Sequence, residues 1–173
     1  MIALYKYTDN ELKALLSSLV VLIDTREQMN EHITTYFDKK QIAYKCMKLD
    51  TGDYSVMLPK NIDLGIYRDT YFPMAIERKN SIDELANSIK ENRFENELIR
   101  AQKMDFVLLV EDSYENLIHA RYRSQYNAKA LLARIKTFEA RYNFNTTFLQ
   151  DKQLIGNWIY WHLYYRVRTA LKG

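Results

Sequence analysis

Gly52-Asp53-Tyr54 and, after a gap, Glu77-Arg78-Lys79-Asn80-Ser81-Ile82-Asp83 are the two strings on which the fold and chemistry of this chain turn. The second separates a carboxylate from a lysine by one residue, and the first supplies another carboxylate upstream. If 77–79 is a strand, alternation sends Glu77 and Lys79 to one face and Arg78 to the other. Asp53, at the start of its own strand, can then close a site. Phosphodiester hydrolysis needs such a set: acids that hold a divalent metal, and a cation beside the phosphate or the attacking water.

Working outward, the apolar pattern predicts strands over 20–23, 44–49, 54–58 and 71–79. Upstream, Thr8 or Asp9 can cap a helix that carries Leu12, Leu15, Leu16 and Leu19 at helical spacing. Residues 28–40 also read as helix. Ser81 is a good N-cap for a helix through Ile82, Leu85, Ala86 and Ile89, and the phase slip near Asn92-Arg93 starts another with Phe94, Leu98 and Ala101. The continuous run 106–110 suits a central strand covered on both faces. A helix over 128–142, a strand over 146–149 and a helix over 152–171 complete the pattern. Alternation of strands and helices predicts an α/β domain with a central mixed sheet flanked by helices.

Composition narrows the setting. At 173 residues the chain fits one domain, with 1–19 as an N-terminal helical extension and 20–173 as the main body. Cys46 is the only cysteine, which excludes an internal disulfide and a cysteine-based zinc site; it is expected to be a buried small hydrophobe. No apolar run approaches about 18 residues, and the first residues lack a signal-peptide layout, so a reducing, intracellular, cytoplasmic setting is expected. The net charge of +3 is mild. Its distribution is more informative: 119–141 holds Arg121, Arg123, Lys129, Arg134, Lys136 and Arg141 against Glu139 alone. That stretch suits a phosphate-facing surface and equally a solvated helix face.

The last helix carries Ile155, Trp158, Ile159 and Leu163 on one stripe, with Tyr160, Trp161, Tyr164 and Tyr165 over much of the rest. A helix so apolar must be buried on more than one side, against a second chain or within its own core.

The acidic candidates are Asp24, Glu27, Asp53, Glu77 and Asp83, most of them at expected strand ends, where an open α/β sheet places its ligands. Their mutual repulsion calls for a cation. Oxygen donors favour a hard ion, Mg²⁺ over zinc, with Mn²⁺ able to substitute. The spacing Asp, gap, Glu-x-Lys is the (D/E)xK nuclease pattern. A short match of that kind arises often by chance, and the longer string is more specific.

Gly-Asp, a variable gap, Glu-Arg-Lys, three residues and Asp resembles the signature of the XPF-type structure-specific endonucleases. Ile23-Asp24-Thr25-Arg26-Glu27 looks like the upstream segment of that family. Ser88-Ile89, Arg93-Phe94, Glu97 and Arg100 resemble its next helical stretch, and Val107-Leu108-Leu109-Val110-Glu111 the following strand. The resemblance implies a restriction-endonuclease-like fold and metal-dependent cutting of flaps, forks or junctions in DNA repair, recombination or replication. It implies Asp53, Glu77 and the Arg78 carbonyl as metal ligands, with Asp24, also a metal-binding residue, and Glu27 completing the acidic pocket directly or through metal-bound water. Lys79 would position or activate water and stabilise charge, and Asp83 would orient Lys79 or Arg26. Arg26 and Arg78 would contact phosphate or brace carboxylates. Arg93 and Arg100, with Arg121 and Arg123 from the basic stretch, are DNA-contact candidates; for Arg93 and Arg100, ion pairs with Glu91, Glu95 or Glu97 are the alternative.

Family members often add a tandem helix-hairpin-helix module or a helicase, and this sequence contains neither. Branch selectivity is then expected from the nuclease domain, its dimer or a partner. The resemblance also implies a homodimer through C-terminal helices, here with Trp158, Trp161 and Tyr165. The small size suggests a phage, mobile-element or microbial protein. A Holliday-junction resolvase or restriction-like nuclease on the same fold, or a non-catalytic DNA-binding subunit, are the other readings.

Overall fold

The computed structural model of the protein describes residues 6–172. The segment 1–5, part of the expected extension and of the stretch lacking a signal-peptide layout, lies outside them. The strands are β1 (Val20–Ile23), β2 (Ala43–Cys46), β3 (Tyr54–Leu58), β4 (Thr70–Tyr71), β5 (Met74–Lys79), β6 (Asp105–Val110) and β7 (Asn145–Phe148). They form one sheet in the order β2-β1-β3-β5-β6-β7, with β4 paired to β3. β3 runs antiparallel to β1 and β5, whereas β1–β2, β5–β6 and β6–β7 pair in parallel. The expected mixed sheet flanked by helices is therefore present.

The helices are α1 (Asp9–Leu16), α2 (Glu31–Lys39), α3 (Ile82–Ser88), α4 (Asn92–Ala101), α5 (Tyr114–Ile118), α6 (Ala128–Tyr142) and α7 (Ile155–Lys172). Strand alternation divides the core between the two faces of the sheet. Ile76, Val107 and Leu109 point into a cluster with Leu12, Phe37, Ile159 and Leu163, from α1, α2 and α7. Ala75, Leu108 and Val110 point into a second with Leu85, Leu98 and Ile135, from α3, α4 and α6. β6 is thus covered on both sides, as its unbroken apolar run requires. α1 begins with a capping box between Thr8 and Glu11, and Leu12 and Leu16 join the first cluster.

Several boundaries differ from the sequence expectation. The strand expected over 71–79 is two strands, because Pro73 has no N–H to continue a ladder. α1 stops at Leu16, where Ser17 and Ser18 hydroxyls donate to the Ala14 and Leu15 carbonyls; Leu19 is buried beyond the helix. β2 is the sheet edge and ends at Cys46, so this cysteine is exposed rather than buried. α5 is too short, at five residues, to show a helical period. A 3₁₀ turn over Lys152–Leu154 precedes α7.

α7 lies close to α2 at Gly156, where an added Cβ would meet Tyr36 at 2.8 Å. Ile155, Ile159, Leu163 and Val167 are buried against the domain's own core, while Trp161 and Tyr165 remain 41% and 57% exposed. No helix among the described residues is long and apolar enough to cross a membrane.

Candidate active site

The C-terminal ends of β1, β5 and β6 and the start of β3 meet at one edge of the sheet. Main-chain hydrogen bonds set Asp53 there: its N–H donates to Ile76 O at 2.8 Å, and its carbonyl accepts from the Asp24 N–H at 2.8 Å. Gly52 makes the approach possible. Its φ is +79°, and a Cβ would stand 2.9 Å from Ala75 Cβ. The Gly52 N–H donates to Glu97 on α4 at 2.8 Å. The result is a cleft of about 390 Å³ lined by Asp24, Arg26, Glu27, Asp53, Glu77, Lys79, Arg93, Glu97 and Arg100, among others.

β5 supplies the two faces that alternation predicts. Glu77 and Lys79 point together toward α4, with Lys79 Nζ 2.8 Å from Glu77 Oε1 and 5.4 Å from the centre of the Phe94 ring. Arg78 turns to the opposite face. Its guanidinium donates to Glu27 at 2.8 and 3.2 Å, to the Gln28 carbonyl at 2.7 Å and to Glu111. Arg78, which also lines the cleft, therefore braces carboxylates, and its N–H donates to Asp53 Oδ2 at 2.8 Å.

Burial strains the acids electrostatically. Desolvation, followed by the nearby charge of Glu27, pushes the Asp53 carboxyl up to about 7. Glu77 is raised well above the carboxylate range by desolvation and then by Asp53. Burial pulls the Lys79 amine down, but Glu77 outweighs it and the net direction is up, so Lys79 stays cationic. Asp24 behaves differently. Burial raises it, yet hydrogen bonds from Arg26 and the Leu49 N–H win, and its carboxyl lies below the usual range. Both Asp24 oxygens are taken: Oδ2 by Arg26 and Oδ1 by Leu49.

The donor set fits a hard divalent ion. Burial and the charge of Asp53 both raise the Glu77 carboxyl, a cost that a cation between the two acids relieves, and the available ligands are oxygens. Among the described residues, no group of three or more His, Cys, Asp or Glu side chains forms a metal cage. Mg²⁺ needs none, since it is commonly held by one or two carboxylates with water and substrate phosphate.

The other sequence candidates fall around this centre unequally. Arg93 and Arg100 are exposed on α4 and line the cleft, and among the described residues neither takes part in an ion pair. Asp83 does not bond to Lys79 or Arg26. Its Oδ1 accepts from the N–H groups of Arg123 and Ser124 at 2.9 and 2.7 Å, on the loop that leads to α6. Arg121 and Arg123 are exposed there, outside the cleft lining.

Two residues with clear structural parts were not site candidates from the sequence. Glu97 ties down the Gly52 amide, and its position in the Arg93-Phe94 stretch was the only pointer to it. Glu111, with its side chain 0% exposed, accepts from Arg78, from Lys152 at 2.7 Å and shares a 2.8 Å contact with His32 Nε2. Burial raises its carboxyl, but Lys152, His32 and Arg78 more than compensate, and it lies below the ordinary range.

Comparison with known proteins bears on the family and the fold. The model of the ERCC4 domain family matches residues 23–161. The structure is similar to that of XPF from Aeropyrum pernix, with a TM-score of 0.62 and 18% identity over 86% of this chain. A second structure of XPF from Aeropyrum pernix, in complex with DNA, gives a TM-score of 0.59 and 20% identity over 87% of this chain. The chain spans 65% of the length of each, and the likeness is one of fold. No curated protein sequence matches the chain significantly.

Proposed function

This chain belongs to the ERCC4 domain family, and from that premise we propose that it is a metal-dependent endonuclease acting on branched DNA such as flaps, forks or junctions. The observation that carries the reading is the division of labour along Glu77-Arg78-Lys79. Glu77 and Lys79 pair beside Asp53 in the cleft, and Arg78, from the opposite face of the strand, holds Glu27 and fixes Asp53 through its N–H.

Asp53, Glu77 and the Arg78 carbonyl are the residues that would hold Mg²⁺, or Mn²⁺ in its place. When bound, such an ion polarises the phosphoryl oxygen and makes water a better nucleophile near neutral pH. Lys79 supplies positive charge at the cleft wall, where Glu77 keeps it protonated and oriented. That charge opposes the negative charge developing on the phosphate, in a setting mostly shielded from water. Glu27 holds Arg78, and Arg78 in turn fixes Asp53 through its main-chain N–H. Asp24 shapes the pocket by holding Arg26 and Leu49 in place. Arg26, Arg93 and Arg100 line the entrance and suit phosphates on either side of the scissile one.

The partner is DNA. A homodimer through α7 completes the reading, supported by the exposed Trp161 and Tyr165 beside Tyr164, with ring centroids 5.0–5.8 Å apart. Trp158 contributes less, since it is half-buried and stacks on His162 at 4.5 Å.

The test is a cleavage assay with Mg²⁺ on flap, fork, four-way and linear duplex DNA, comparing the protein with its Asp53→Asn and Glu77→Gln variants. Cutting of branched substrates by the wild type alone is expected. No cutting of any substrate by the wild type rejects the enzyme reading, and equal cutting by the variants rejects the assigned site.

A further inference from the structure

The segment 119–127, between α5 and α6, is irregular yet tied at several points. Asp83 Oδ1 accepts two of its main-chain N–H groups, from Arg123 and Ser124. The Tyr122 hydroxyl donates to the Tyr126 carbonyl at 2.6 Å, and the Ser124 hydroxyl accepts from the Tyr126 N–H at 3.1 Å. The Arg121 N–H closes back on the Asn116 carbonyl at 2.8 Å. A loop with this many internal bonds is preorganised, so binding to it costs little ordering entropy.

Its side chains are sorted by exposure. Arg121 and Arg123 are exposed, whereas Tyr122 and Tyr126 are half-buried. Lys90 Nζ lies 5.5 Å from the centre of the Tyr126 ring. The aromatics are thus committed to holding the loop, which leaves guanidinium groups as what it offers to a ligand. Guanidiniums without free aromatic faces favour phosphates over bases.

Asp83 places this loop relative to the cleft. It sits four residues beyond Lys79, at most about 14 Å of extended chain. That is roughly the axial length of four nucleotides. Its neighbour Glu84 lines the cleft and accepts the Asn80 N–H at 2.6 Å.

We propose that residues 119–127 form a rigid phosphate-docking loop, fastened by Asp83, that grips a DNA arm beyond the cleft through Arg121 and Arg123. This deepens the nuclease reading and takes from it the identity of the ligand. Asp83, on this assignment, is a positioning residue for the substrate arm and has no contact with the reacting atoms.

The experiment measures binding of a labelled flapped duplex in EDTA, where no cutting occurs, between about 50 and about 200 mM NaCl. The paired substitution Arg121→Ala/Arg123→Ala lies at exposed side chains and keeps the fold. It is expected to weaken binding and to reduce the slope of log K against log salt by about 2. Asp83→Ala leaves both arginines present but frees the loop, and is expected to lower the slope by about 1 or more. A wild-type slope in the paired variant overturns the proposal. So does a wild-type slope in Asp83→Ala with a melting temperature showing that the variant is folded. Wild-type protein that binds with the expected slope change in the variants, yet cuts nothing in Mg²⁺, rejects the nuclease reading and leaves this one standing.

Discussion

The main-chain N–H of Arg78 donates to Oδ2 of Asp53 at 2.8 Å, and this hydrogen bond joins the two sequence strings that define the site. The bond lowers the Asp53 carboxyl but does not overcome burial and the charge of Glu27, which leave it at about 7. The metal-free protein therefore carries a carboxyl that is costly to ionise.

This cost has a direction in pH. The Asp53 carboxyl is raised in the folded state, so its contribution to stability is fully present below about 3.8 and is lost as pH rises through about 7. At pH 8 in EDTA, Asp53→Asn is expected to unfold at higher temperature than the wild type. A gain of about 1–2 kcal/mol corresponds to roughly 2–8 °C for a domain of this size. Differential scanning calorimetry at pH 8 and pH 4 checks it, with the difference vanishing or reversing at the lower pH. Cleavage by the same variant is expected to be abolished.

Glu111 offers the opposite case. It is ionised, buried and touched by Arg78, Lys152 and His32. Replacement by Gln leaves the Arg78 guanidinium under-compensated in a site where its own side chain is 2% exposed. Urea unfolding is expected to show a loss of about 3 kcal/mol. Lys152→Ala, whose side chain is 58% exposed, should cost less than about 1 kcal/mol.

Gly52→Ala tests the close approach of β3 and β5. The new methyl meets Ala75 Cβ at 2.9 Å and Ile76 O at 3.2 Å, at a φ of +79° that alanine resists. Destabilisation of about 2 kcal/mol is expected in urea. A displaced Asp53 should lower the single-turnover cleavage rate by about 10²-fold.

The aromatic face of α7 is checked by sedimentation. Trp161→Glu and Tyr165→Glu place charge on exposed rings without disturbing Ile159 or Leu163, which are buried. Both are expected to sediment as monomers at concentrations where the wild type is a dimer. An unchanged sedimentation coefficient rejects this face as the interface.

Much of the architecture was readable from local pattern. The apolar runs at 20–23, 54–58 and 106–110 became strands, Ser81 caps α3, and the phase slip at Asn92-Arg93 separates α3 from α4. Glu77 and Lys79 share a face because strand alternation leaves no other choice. What local pattern missed depends on contacts between distant residues. Glu111 looks like an ordinary carboxylate after a strand until the fold brings His32, Arg78 and Lys152 to it. Asp83 shares a short string with Lys79, but the first turn of α3 directs it to a loop 40 residues away. Cys46 reads as core until strand order puts β2 at the edge.

The packing of α7 against α1 and α2 has a consequence for biosynthesis. Leu12, Leu16, Ile33 and Phe37 share one apolar cluster with Ile155, Ile159, Leu163 and Val167. While the chain is being made, the sheet residues Val21, Val56, Ile76, Val107 and Leu109 of the same cluster can cover part of that surface, and the part that faces α7 stays open until the segment around 155–167 has emerged. Large sequence separation slows such closure, and the waiting apolar surface is open to aggregation in the meantime. The last helix to be made therefore closes a core begun by the first two, and truncation before Ile155 leaves that side of the core uncovered.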